Sequence, residues 1–186
     1  TCEGLYQRQS KSVNANSLVA IGLNNQLETT NTANTGTLND KEFLLWGSNG
    51  GGTNFSGTGG TTMYPRLMNR KWKAAEWAGA ANTDVISTLK VGITKSESSS
   101  IIREDEAYAL LVDNDGDGDF SNATEITGIT IAGVLTFKNV NINHNARFTL
   151  AEKAIAAPQV TCSSNELRGS QRWWFTGNGA GLDFGV

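Results

Sequence analysis

Apolar residues in this chain come in short runs, most of them alternating with polar ones and separated by Gly, Asn, Asp, Ser and Thr; that pattern predicts strands. Residues 16–23 (NSLVAIGL) set Leu18, Ala20 and Gly22 against Val19, Ile21 and Leu23, with Asn at the ends; the run is too short for a helix. Residues 42–50 (EFLLWGSNG) form a continuous apolar run of the kind a sandwich core uses. Residues 66–80 fit a strand or a short helix, and Arg70, Trp72 and Ala74 alternating with Lys71 and Lys73 suggest a solvated edge strand. A long strand is expected over residues 83–96, with Val85, Leu89, Val91 and Ile93 as its apolar members. Another spans residues 104–113 (EDEAYALLVD), and residues 125–142 read as two strands broken near Ala132-Gly133, with Ile129, Ile131, Leu135 and Phe137 in the core. Residues 146–153 (ARFTLAEK) close the series. Seven or so short strands argue for an all-β fold, an Ig-like or jelly-roll-like antiparallel sandwich.

Composition agrees. The 186 residues include 19 Asn, 20 Thr and 21 Gly, suited to pleated surfaces and tight turns, with only 18% charged residues. A net charge of −3 gives no basic field for nucleic acid, and no apolar run approaches the length of a membrane span. Residues 47–60 hold seven glycines in fourteen positions. They lack the Gly-Lys-Ser/Thr ending of a phosphate-binding loop and read as a flexible surface loop.

The pattern then changes. The expected sandwich covers residues 1–153, residues 154–169 carry Pro158 and no periodicity and read as a linker, and residues 170–186 hold an extra strand. In that tail Trp173, Trp174, Phe175, Leu182 and Phe184 would add to this domain, begin a further module, or add as a strand to a neighbouring copy. The chain starts at Thr1 without Met, as a processed product or a piece of something longer would. Cys2 and Cys162 either pair, closing a loop of roughly 160 residues, or stand as separate thiols; the low charge favours an oxidising, extracellular setting.

Residues 110–120 (LLVDNDGDGDF) carry the most specific chemistry. Asp113, Asp115 and Asp117 fall on alternate positions, followed by Gly118, the first half of a calcium-loop pattern. Asp119 would offer its carbonyl and Glu125, displaced by one from the expected closing position, a carboxylate. Oxygen donors without His or Cys select a hard cation, and the number of carboxylates points to Ca²⁺. A strand rather than a helix precedes the loop, so an EF-hand sensor is excluded and a fastening role is expected. The competing reading is an acidic solvated turn.

Nothing points to catalysis. His144 is the only histidine and reads as a turn residue; Glu104, Asp105 and Glu106 read as a solvated charge run. Trp46, Trp72 and Trp77 would make a glycan- or peptide-binding platform if exposed, and core residues otherwise.

The phrases LYQRQSKSVNANSLVAIGL, KEFLLWGSNGG, RLMNRKWKAAE and AYALLVDNDGDGDFSNATEI, in this order, resemble a β-sandwich module repeated in very large secreted bacterial surface adhesins of the type 9 secretion and gliding type. The resemblance spans residues 4–151, and its most specific parts are FLLWG, R-x-x-N-R-x-W-K and LLVDNDGDGDF. The glycine-rich insert and the cysteines depart from it. RWWFTGNGAGLDFGV is similar to the opening of a following, β-propeller-like module. The resemblance implies an extracellular, non-catalytic building block that contacts neighbouring modules or copies of itself.

Overall fold

Alternating β-formers bounded by turn residues settle into eleven strands among the residues that the computed structural model describes, 7–11, 18–78, 86 and 88–154. They are β1 Gln9–Lys11, β2 Val19–Gly22, β3 Phe43–Ser48, β4 Phe55–Gly57, β5 Arg66–Trp77, β6 Leu89–Thr94, β7 Tyr108–Asp113, β8 Thr124–Thr127, β9 Ile129–Ile131, β10 Val134–Val140 and β11 Arg147–Glu152. One sheet runs β1-β2-β6-β10-β9; the other runs β3-β5-β11-β7-β8, with β4 also on β5, and every pairing is antiparallel. The result is an antiparallel β-sandwich of the immunoglobulin or jelly-roll kind. The chain divides into two units, Thr1–Ala154 and Ile155–Val186, and the second lies outside the described residues. No helix among the described residues is long and apolar enough to cross a membrane.

The core fills the space between the sheets. Val19, Ile21, Leu89, Val91, Ile93, Leu135 and Phe137 come from one sheet, and Trp72, Leu110, Val112, Phe148 and Leu150 from the other. Trp72 stacks on Phe148 at 5.6 Å between ring centres. A second cluster lies on the other face of β5, β11 and β7, where Tyr64 and Phe120 fold over Leu67, Ala109, Leu111 and Ala151. With both of its faces covered, β7 is buried along its whole length. The Tyr108 hydroxyl accepts the N–H groups of Ile102 (3.0 Å) and Arg103 (2.9 Å), tying the loop ahead of β7 as a tyrosine corner does.

Several sequence expectations change. The apolar run at β3 is an edge strand, with Phe43 43% and Leu45 62% exposed, because an apolar stretch reads the same with one face buried as with two. β5 is interior, flanked by β3 and β4 on one side and β11 on the other, and its lysines mark an outer face rather than an edge. Leu135 and Phe137 are buried, but Ile129 and Ile131 face outward at 58% and 47% exposure. Register decides this: Thr130 stands opposite the buried Leu135, which puts both isoleucines on the other side. The glycine-rich stretch contains β4, whose Phe55 packs 5.5 Å from the Tyr108 ring. Within the strand expected over residues 83–96 lies β6, Leu89–Thr94, with Leu89, Val91 and Ile93 buried; Val85 lies outside the described residues.

Candidate metal loop at the end of β7

β7 ends at Asp113, a residue only 1% exposed at the end of a buried strand. Its Oδ1 accepts the Gly116 N–H and its Oδ2 the Gly118 N–H, both at 2.8 Å. Beyond it each aspartate accepts the amide two residues on: Asp115 from Asp117 (3.4 Å), Asp117 from Asp119 (2.7 Å) and Asp119 from Ser121 (2.8 Å). Gly116 (φ 73°) and Gly118 (φ 92°) occupy the left-handed backbone region that this winding needs. At Gly116 a Cβ would also stand 2.6 Å from the Asn145 carbonyl oxygen.

The winding brings carboxylate oxygens of Asp113, Asp115 and Asp117 within 4.8 Å of one another. Burial, with the neighbouring Asp115, pushes the Asp113 carboxyl above its ordinary range, against the two glycine N–H groups that pull it down. Three converging carboxylates in an all-oxygen set fit a hard divalent cation, which would offset their repulsion. Asp119 stands outside this group, its carboxyl held below the usual range by the Ser121 backbone and side chain. Glu125 also stands outside it: in β8 it lies opposite Leu111, and its charge, after burial, raises the Tyr64 phenol.

Sequence reasoning missed Asn114. Its Oδ1 accepts the Asn143 N–H at 3.0 Å and its Nδ2 donates to the Asn141 carbonyl at 3.3 Å, docking the loop on the β10–β11 connection. An Asn between two loop aspartates hints at such a backbone-binding role, but nothing local names its partner 27 residues away.

The other candidates are dispersed. Trp72 is buried, Trp46 is half-buried on the same inner face, and Trp77 is 41% exposed on the outer face beside Phe43, so the three make no common platform. His144 sits exposed in a turn with Nδ1 2.9 Å from the Glu76 carbonyl oxygen. In the 104–106 run, Asp105 binds the Thr130 N–H and hydroxyl and pairs with Lys95, while Glu104 and Glu106 are exposed. Cys2, Cys162, Trp173, Trp174, Phe175, Leu182 and Phe184 lie outside the described residues.

The family described as Domain of unknown function (DUF8202) matches residues 1–146. No curated protein and no solved structure matches the chain.

Proposed function

We propose that this chain, which belongs to the DUF8202 family, is a non-catalytic structural module of an extracellular adhesin or filament, fastened by Ca²⁺. One observation carries the reading: Asp113, Asp115 and Asp117 converge within 4.8 Å on a loop already wound by its own amide hydrogen bonds. The loop leaves a fully buried strand and rests on the β10–β11 connection, so a cation there would lock two parts of one sandwich. It would supply positive charge to three carboxylates and no chemistry beyond that. Extracellular calcium is plentiful enough to fill a weak site of this kind, which supports a surface or secreted setting. Neighbouring modules or copies of the same protein are the partners such a role implies. Calorimetric titration with Ca²⁺ tests the reading: saturable binding lost in Asp113→Asn supports it, and no heat above the buffer blank overturns it.

A second reading, a carbohydrate- or peptide-binding module, rests on Trp77 and Phe43, which face each other across β5 and β3 on the outer face, each about two-fifths exposed. Ligand binding on a glycan or peptide array that disappears in Trp77→Ala would support it; uniformly blank arrays would remove it.

A further inference from the structure

A sheet ends in edge strands, whose outward N–H and C=O groups can pair with another chain. β9, Ile129–Ile131, is such an edge: among the described residues it pairs with β10 alone. Ala132 and Gly133, with φ of 48° and 78°, make the two-residue turn into β10, and the turn closes on the pair Ile131 and Val134. Antiparallel pairs alternate, so Ile131 and Ile129 direct their backbone groups at β10 and Thr130 directs its own outward. The side chains divide by face. Thr130 stands on the inner face opposite the buried Leu135, and Ile129 and Ile131 lie on the outer face, both exposed.

One side chain occupies this edge. The Asp105 carboxylate accepts both the N–H and the hydroxyl of Thr130. An ion pair with Lys95, at 3.4 Å, steadies the carboxylate, and the 3-10 turn Asp105–Ala107 ties it to the start of β7 at the buried Tyr108. A carboxylate takes the donor that a pairing strand would need and gives nothing to the Thr130 carbonyl. It therefore blocks the edge at the residue where pairing would centre.

The strand's sequence makes a second copy the matching occupant. Ile-Thr-Ile reads the same in both directions. Two β9 strands set antiparallel about Thr130 would exchange both Thr130 N–H···O=C bonds. Each Ile129 would then stand opposite the other copy's Ile131 on one shared face. A twofold axis at Thr130 satisfies backbone and side chains together.

We propose that β9 is a strand-pairing surface for a second copy of this chain, and that Asp105 is the latch that keeps it shut. Releasing the carboxylate frees the Thr130 N–H, and the sheet β1-β2-β6-β10-β9 continues into its counterpart. The strand is three residues long, so the pairing is weak and depends on concentration. The proposal is independent of calcium.

Sedimentation equilibrium on wild type, Asp105→Asn and Asp105→Ala tests it, since asparagine keeps an acceptor for Thr130 and alanine does not. Asp105→Ala should self-associate at least about tenfold more tightly than the other two, and adding Ile129→Lys should cancel the gain. Equal association in all three chains overturns the proposal. A gain shared by Asn and Ala overturns it, because charge and not the hold on Thr130 would then guard the edge. A gain that survives Ile129→Lys overturns it, because another surface is then pairing. Hydrogen exchange names the occupant: in Asp105→Ala the Thr130 amide should be protected only at concentrations where the dimer forms. Protection at every concentration overturns the proposal, because the chain then fills its own edge. Should Asp105→Ala not fold, Asp105→Ser, whose hydroxyl is too short to reach Thr130, takes its place under the same readings.

Discussion

Arg147, the first residue of β11, stands directly across from Asp113, the last residue of β7. Its guanidinium lies against Gly118, where a Cβ would be 2.3 Å from Nη1. With Asn114 on Asn141 and Asn143, and Gly116 under the Asn145 carbonyl, the acidic loop touches the segment 141–147 at three places. Loop geometry and the β10–β11 connection are therefore one packing problem, and changes in either should be felt in both.

The first expectation concerns the cation. Asp115 is exposed and the hydrogen bond it accepts from the Asp117 N–H is long, so Asp115→Ala should leave calcium-free stability within about 0.5 kcal/mol. In wild type, Ca²⁺ at about a hundred times its dissociation constant should add about 2.7 kcal/mol, a melting shift of roughly 5–10 °C. Asp115→Ala should lose that shift, and Mg²⁺ should reproduce little of it, since it demands a tighter octahedron. Calorimetric melts with Ca²⁺, Mg²⁺ and chelator measure all of this. A wild-type melt indifferent to Ca²⁺ would end the assignment.

Gly116→Ala and Gly133→Ala separate backbone strain from crowding. Both glycines have positive φ, 73° and 78°, so alanine costs about 1–2 kcal/mol of conformational strain at either. Around Gly133 there is open space, whereas a Cβ at Gly116 meets the Asn145 carbonyl oxygen at 2.6 Å. Gly116→Ala should therefore be the more destabilising in urea unfolding. Equal losses would mean that the loop does not press on the connection.

The acidic loop was legible because its pattern is local: amides two to five residues on decide where Asp113, Asp115 and Asp117 go. Glu125 was assigned on spacing alone, and where β8 starts pairing with β7 is a tertiary matter that spacing does not carry. The isoleucines at 129 and 131 show the same limit. Their alternation announced a strand, but the partner register put Thr130 inside, where it takes Asp105 as its hydrogen-bond partner. Period two names two faces and leaves open which one is buried. The tryptophans could not be sorted for that reason either: Trp72 and Trp77 lie on one strand, five residues apart, and odd spacing sends them to opposite sides.

Tyr108→Phe should cost about 1–2 kcal/mol with an unchanged denaturant slope. The ring keeps its buried place, and only the hydroxyl that accepts the Ile102 and Arg103 N–H groups is lost. The damage should stay local, with faster hydrogen exchange at residues 100–103 and none at β11. Loss spread evenly over both sheets would contradict the corner's role.

Glu76 should make stability fall as pH rises. It lies on β5, 2% exposed, with its Oε1 accepting the Ile86 N–H at 2.5 Å. Burial raises its carboxyl above the ordinary 4.5, aided weakly by Glu42 and opposed by the Ile86 N–H and by His144 in charge and hydrogen bonding, and burial prevails. Between that ordinary value and the raised one the folded chain holds more protons than the unfolded chain, so unfolding releases protons and becomes easier with increasing pH. The contribution from the neutral carboxyl is complete below about 4.5 and is lost as pH climbs through the folded value. Glu76→Gln keeps an acceptor for Ile86 and removes the titration. Urea midpoints taken from pH 4.5 to 8 should fall more steeply for wild type than for the variant, and parallel curves would show that Glu76 ionises in the fold as it does in the unfolded chain.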